Sequence, residues 1–259
     1  MHAIDWLGSP THPGTGVTLM LEAFKATQTQ FAVDGSPQSQ ALFPRLGFEQ
    51  KPGVAIFRKV LSPFHRLRNT DHGLAGRWAR AAKDVALVCR ARVRPVTHSL
   101  ELRPVDAFTA DIDGLLRQSA LRMVTCQRDH RLLNYLLRYP LSGFTGSTIH
   151  SAERMIGFAM LKVSPHGRVR PGKIVDCWLN TEEPAYWHAA IRGLVDQLRD
   201  QSADDVTCYA TNPSLQTALV WNGFAKSGEH NVRIRDKQQL LPRDVPLGLS
   251  GFEADGAIL

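Results

Sequence analysis

The sequence predicts an α/β protein with a mixed sheet covered by helices, and three observations predict it. Short strand-like apolar runs alternate with longer stretches of helical period. A segment of thirteen residues recurs without a gap 176 residues later. Around both copies the same order can be read: strand, helix, strand, helix, strand.

The recurring segment is Ser36 to Phe48, matched by Asn212 to Phe224. Proline, glutamine, glycine and phenylalanine stand at identical places in both. Ser36 and Asn212 suit the N-cap, where a side-chain oxygen accepts from a free backbone N–H. Pro37 and Pro213 follow at N1, where the missing N–H costs nothing. Gly47 and Gly223 suit the left-handed position that ends a helix. Pro44, inside the first copy, predicts a kinked or shortened helix.

The first copy begins with a strand at Ala3 to Leu7. A helix follows, with Val17, Met20, Leu21 and Phe24 on one face. Gln30 to Val33 and Val54 to Phe57 read as strands on either side of the capped helix. Leu74 to Val88 reads as a linker helix across a junction. Ser99 to Arg103 is a candidate strand, and Asp111 to Leu121 and Arg128 to Tyr139 are candidate helices. Gly143 to Ser151 and Met155 to Val163 suit two strands of a meander. The second copy then opens with the strand Lys173 to Trp178. Its helix places Trp187, Ile191, Leu194, Val195 and Leu198 on one face. The strand Val206 to Tyr209, the capped helix and the strand Val232 to Ile234 complete it. After Leu241 proline and glycine are spaced too closely for a core element, so this tail is expected to wrap the surface or fray.

Composition narrows the function. No apolar run is long enough to span a membrane, and the N-terminus lacks the basic and apolar regions of a secretory signal. Four dispersed cysteines, Cys89, Cys126, Cys177 and Cys208, suit reduced thiols in a cytoplasmic protein. The ten histidines show no metal-ligand spacing, so no metal is expected. The net charge of +7 is not evenly spread. Arg58 to Arg103 holds eleven Lys or Arg against three acids. That stretch is either a solvated linker face or a surface for nucleic acid, anionic lipid or an acidic partner. It lacks the aromatic interleaving of nucleic-acid platforms, which argues against nucleic acid.

The order of elements, with a helix closed by Gly-Phe and then a strand, resembles the C-terminal half of the GCN5-related N-acetyltransferase fold. The resemblance implies one half domain at residues 1–60, a basic linker at 61–97, one complete domain at 98–240 and a tail at 241–259. The stretch Arg128-Asp129-His130, with Leu133, Asn134, Arg138 and Tyr139, resembles a motif of tandem acetyltransferase-like proteins of bacteria. By that resemblance the chain is an N-terminally truncated tandem member. A dimer or partner is expected to cover the incomplete domain. Arg128 and Arg138 otherwise suit a surface ion pair or a buried brace.

The family implies acyl transfer from acetyl-CoA or another acyl-CoA to an amine or sugar-amine acceptor. Its pyrophosphate loop would fall on Thr11 to Val17, with Gly14, Thr15, Gly16 and Val17 as cofactor-binding residues. Glycines let backbone approach phosphate, and a helix N-terminus favours an anion. Ser36 and Asn212 are placed beside the same ligand. Thr11 replaces the family's basic or amide residue. In the second copy, Leu179 to Pro184 has no glycine and carries Glu182 and Glu183. The family's proton-donating tyrosine is replaced by Phe43 and Leu219, which cannot donate. Asp176, with Asp5 as its first-copy counterpart, and Tyr209 are the catalytic candidates. The alternative is a catalytically degenerate binding or scaffold module that keeps the fold.

Overall fold

The structure, a computed structural model, describes residues 14–64, 67, 73–90, 94–119, 121, 123–139, 143–164, 169–242 and 244–253. The expected strand at Ala3 to Leu7 lies outside them.

The first copy runs α1 (Thr15–Ala26), β1 (Thr29–Val33), α2 (Pro37–Leu42) and β2 (Glu49–Val60). Ser36 accepts from the Ser39 N–H, and Gly47 adopts φ 83°. Pro44 ends α2 and starts a separate 3-10 turn, Pro44–Leu46. α1 buries Met20 and leaves Leu21 exposed: among the described residues it packs through Met20 and Phe24 onto Ala32, Phe43 and Phe48. α3 (Leu74–Arg90) follows.

The second unit runs β3 (Glu101–Val105), α4 (Asp111–Arg117), α5 (His130–Arg138), β4 (Phe144–Ser151) and β5 (Arg154–Val163). Then come β6 (Pro171–Leu179), α6 (Pro184–Asp200), β7 (Asp205–Ala210), α7 (Pro213–Trp221) and β8 (Ala225–Asp236). Asn212 caps α7 by accepting from the N–H groups of Ser214 and Leu215. α4 stops short of Leu121. α6 buries Trp187, Ile191, Leu194, Val195 and Leu198, as its period predicts.

The eight strands of the described residues form one sheet, ordered β1-β8-β2-β7-β6-β5-β4-β3. The two copies exchange their last strands. β2 pairs antiparallel with β7, and β8 pairs antiparallel with β1. The 176-residue offset holds in space. β2 and β8 have the same length and begin at corresponding residues. Thr29 pairs with Asp236, and the corresponding Asp205 pairs with Val60. Glu49 pairs with Ile234, and Arg58 with Ala225, the same relation read from the other copy. The four strands β1-β8-β2-β7 thus repeat about a local two-fold axis between β8 and β2.

The main core lies under β4 to β7, α5 and α6. On the sheet of the exchanged strands, Phe31, Val54, Val232 and Ile234 are covered instead by Leu241, Leu247 and Leu249 of the C-terminal segment. Of the two expectations for the tail, wrapping is the one present over residues 244–253: its leucines supply an apolar cover to the exchanged strands.

Candidate functional site: the wedge between two parallel strands

β6 and β7 run parallel but pair only from Pro171–Asp205 to Ile174–Cys208. A register shift against β5, between Met160 and Leu161, lets β6 turn away at that point. Beyond it the two strands diverge and leave a wedge. Asp176 stands on one side, two residues past the last pair, and Tyr209 on the other, one residue past it.

The wedge is filled by the chain's own C-terminus. Ser250 bridges antiparallel to Ala210 on the β7 edge. The Leu249 N–H donates to Thr211 Oγ1 at 2.8 Å, and Thr211 Oγ1 donates to the Leu247 carbonyl at 2.6 Å. A 3-10 turn, Gly251–Glu253, then packs against both β6 and β7. The fit is close: a Cβ on Gly251 would come within 3.0 Å of the Val175 carbonyl.

A buried charge cluster fastens this plug. Asp129 caps α5 by accepting from the Leu132 N–H, which fixes the chain just before the helix and turns Arg128 inward. Arg128 Nε donates to Asp176 Oδ2 at 2.8 Å and Nη2 to Glu253 Oε1 at 2.5 Å. Nη2 also reaches Ser250 Oγ at 3.3 Å, and Nη1 the Cys126 carbonyl at 3.3 Å. The side chains of all three charged residues are at most 3% exposed. Asp176 Oδ1 accepts from the Cys177 N–H, and Glu253 Oε2 from the Ser250 N–H. Burial works against the charge on Arg128, but Asp176 and Glu253 outweigh it and hold its pKa above the ordinary value. Burial pushes the Glu253 carboxyl up, with Arg128 pulling the other way. Burial likewise raises the Cys177 and Cys208 thiols, and takes Cys126 up to about 12. All three are neutral thiols, poor nucleophiles.

Of the two readings open for Arg128, the buried brace is the one present. Asp176 is its carboxylate partner. Tyr209 packs its ring edge-on against His230, with centroids 5.0 Å apart, and burial raises its hydroxyl pKa. Asn212 is buried and both its accepted hydrogen bonds serve the cap, while Ser36 caps α2 at the surface. Gly14 is exposed at φ 93°, at the head of α1, and a Cβ there would meet nothing within 4 Å among the described residues. Thr15 is exposed and Gly16 partly so. With Val17 they head the helix that packs on β1, and three strands separate β1 from β6. Around the α6 N-terminus, Trp187 Nε1 donates to the Thr181 carbonyl at 2.8 Å, and Ser214 Oγ to the Glu182 carbonyl at 2.5 Å. Glu183 stands at the N-cap without a side-chain capping bond. Sequence reasoning missed Ser250 and Glu253, which lie in a segment without hydrophobic period.

The mixed sheet, the register shift in its middle and the diverging parallel pair define a protein of the GCN5-related N-acetyltransferase fold. A GCN5-related N-acetyltransferase from Anabaena variabilis superposes with a TM-score of 0.54 at 13% identity, over 86% of this chain and 50% of its own. An Enterococcus faecalis protein of unknown function, a probable N-acyltransferase, gives 0.52 at 12% identity, over 88% of this chain and 51% of its own. The chain thus spans about half the length of these relatives. No family model and no curated protein matches the sequence. Among the described residues no helix is long and apolar enough to cross a membrane.

Proposed function

We propose that the second unit is a non-catalytic acyltransferase-fold module, kept for binding or scaffolding. One observation carries this reading: the wedge that would accept a pantetheine arm is occupied by Ser250 to Glu253. The β7 edge at Ala210 already has a hydrogen-bonding partner. Asp176, a catalytic candidate, is tied to Arg128. The α6 loop offers carboxylates where a pyrophosphate would need N–H groups and positive charge. The residues of this unit therefore do not fit acyl-CoA.

A second reading, acyl transfer from acyl-CoA to an amine at Gly14 to Val17, has one observation in its favour. Gly14 holds a left-handed turn at a helix N-terminus, and no described residue lies within 4 Å of where its Cβ would be. Calorimetry with acetyl-CoA separates the two, on the full chain, on Gly14→Glu and on a chain lacking residues 247–259. No binding to any of the three is the result expected of a silent module. Binding abolished by Gly14→Glu moves the function to the first copy. Binding gained only when the tail is removed makes the plug an inhibitor of a working site, and overturns the silent reading.

A further inference from the structure

Among the described residues, five of the eleven large apolar side chains left exposed lie between β2 and β3: Phe64, Leu74, Trp78, Val88 and Val96. The same region holds eight Lys or Arg against two acids, most of the chain's net charge of +7. Three features of α3 bring the two together. Ala81 and Asp84 are buried against the domain, and Asp84 lies 3.6 Å from Arg58. Asp84 is the single acid in α3, so the helix turns its negative charge inward and shows only positive charge outward. Leu74 and Trp78 lie within about 60° of Ala81 around the helix axis, yet 71% and 59% of their surface is exposed. The side that Ala81 and Asp84 turn to the domain thus continues through Leu74 and Trp78, with Arg77 between them, past the part of the helix that the sheet covers.

We propose that α3 docks through Leu74 and Trp78 on an anionic lipid surface. A helix with aromatic and aliphatic side chains on one side, flanked by lysine and arginine, lies in the headgroup region. Arg80, about 40° beyond Asp84 around the helix, and Lys83, about 100° beyond it, meet the lipid phosphates from one edge of that side. The aliphatic members decide against nucleic acid. Leu74 and Val88 gain by entering a hydrocarbon medium, and they supply no stacking surface to a base. Trp78 suits the boundary, where its ring is buried and its N–H stays wet.

The test uses the full chain with vesicles of phosphatidylcholine alone and of phosphatidylcholine with phosphatidylglycerol. Co-sedimentation with the anionic vesicles only, declining as salt rises, is the expected result. The double change Arg80→Gln, Lys83→Gln should weaken it about 25-fold, or about fivefold per charge. A blue shift of tryptophan emission on binding should vanish in Trp78→Phe while binding persists. All these residues are exposed, so circular dichroism should match the parent. Absence of binding to anionic vesicles overturns the proposal, as does affinity indifferent to the two cations. A dimer dispersed by Trp78→Ala, with no vesicle binding, would give the face to a second copy of the chain. Tight binding to single-stranded nucleic acid without vesicle binding would give it to that partner; either result also overturns it.

Discussion

The two copies differ on one face of the sheet and agree on the other. Where they agree, the agreement extends to single side chains. Lys59 Nζ, on β2, donates to the Asn222 carbonyl at 2.6 Å, at the end of α7. The corresponding Arg235 Nε, on β8, donates to the Leu46 carbonyl at 3.1 Å, at the end of the first copy's 3-10 turn. Each copy's last strand thus carries a cation that caps the other copy's helical segment, where unpaired carbonyls favour positive charge. Where they differ, α4 and α5 lie over β5 and β4 of the second unit, while the tail leucines cover the exchanged strands. A duplicated element keeps what the exchanged strands require and is free to change elsewhere.

Breaking the second copy's distinctive feature should have the largest effect. Arg128→Ala leaves Asp176 and Glu253 buried without a counter-charge, and should cost about 3–5 kcal/mol in denaturant unfolding. The mirrored cations should be unequal. Arg235→Met loses bonds to both Leu46 and Gln30 and should cost about 2 kcal/mol, whereas Lys59→Met should cost clearly less. Equal losses would show that the two cations are equivalent in energy as well as in place. The caps come next. Asn212→Ala, which removes two accepted bonds, should cost about 1–2 kcal/mol, and Ser36→Ala less, as read by thermal unfolding.

The smallest effect is in pH. Lys59 is lowered to about 8, by burial first and then by Arg192 and Arg199. Between that value and the ordinary 10.5 the unfolded chain holds a proton that the folded chain has lost. Stability from this group therefore rises with pH across that window. Lys59→Met should flatten the rise, and an unchanged slope would mean that the lysine is better solvated than its contacts imply.

Much of the fold was legible. Caps, glycine stops and strand–helix alternation placed the repeat, and the offset of 176 residues survives in the strand register. The exchange was not legible, because self-similarity says which segments are alike and is silent on which copy pairs with which. The brace was half legible: Arg128 was singled out, but its partners lie 48 and 125 residues away. Glu253 follows prolines and glycines, and nothing in its neighbourhood marks a carboxylate that will be buried. Asp176 was noticed for its place on the strand, and the structure adds the ion pair that holds it there.

The strand exchange also has a consequence in time. Thr29 meets Asp236 across 207 residues, and Arg58 meets Asp205 across 147. During synthesis β2 leaves the ribosome with neither neighbour yet made, and both its edges stay open until the last third of the chain emerges. Pairings this remote in sequence form slowly, and open strand edges invite association between chains. The first copy must wait, collapsed but unfinished, for the second to release it from that risk, so β1, β8, β2 and β7 come together last.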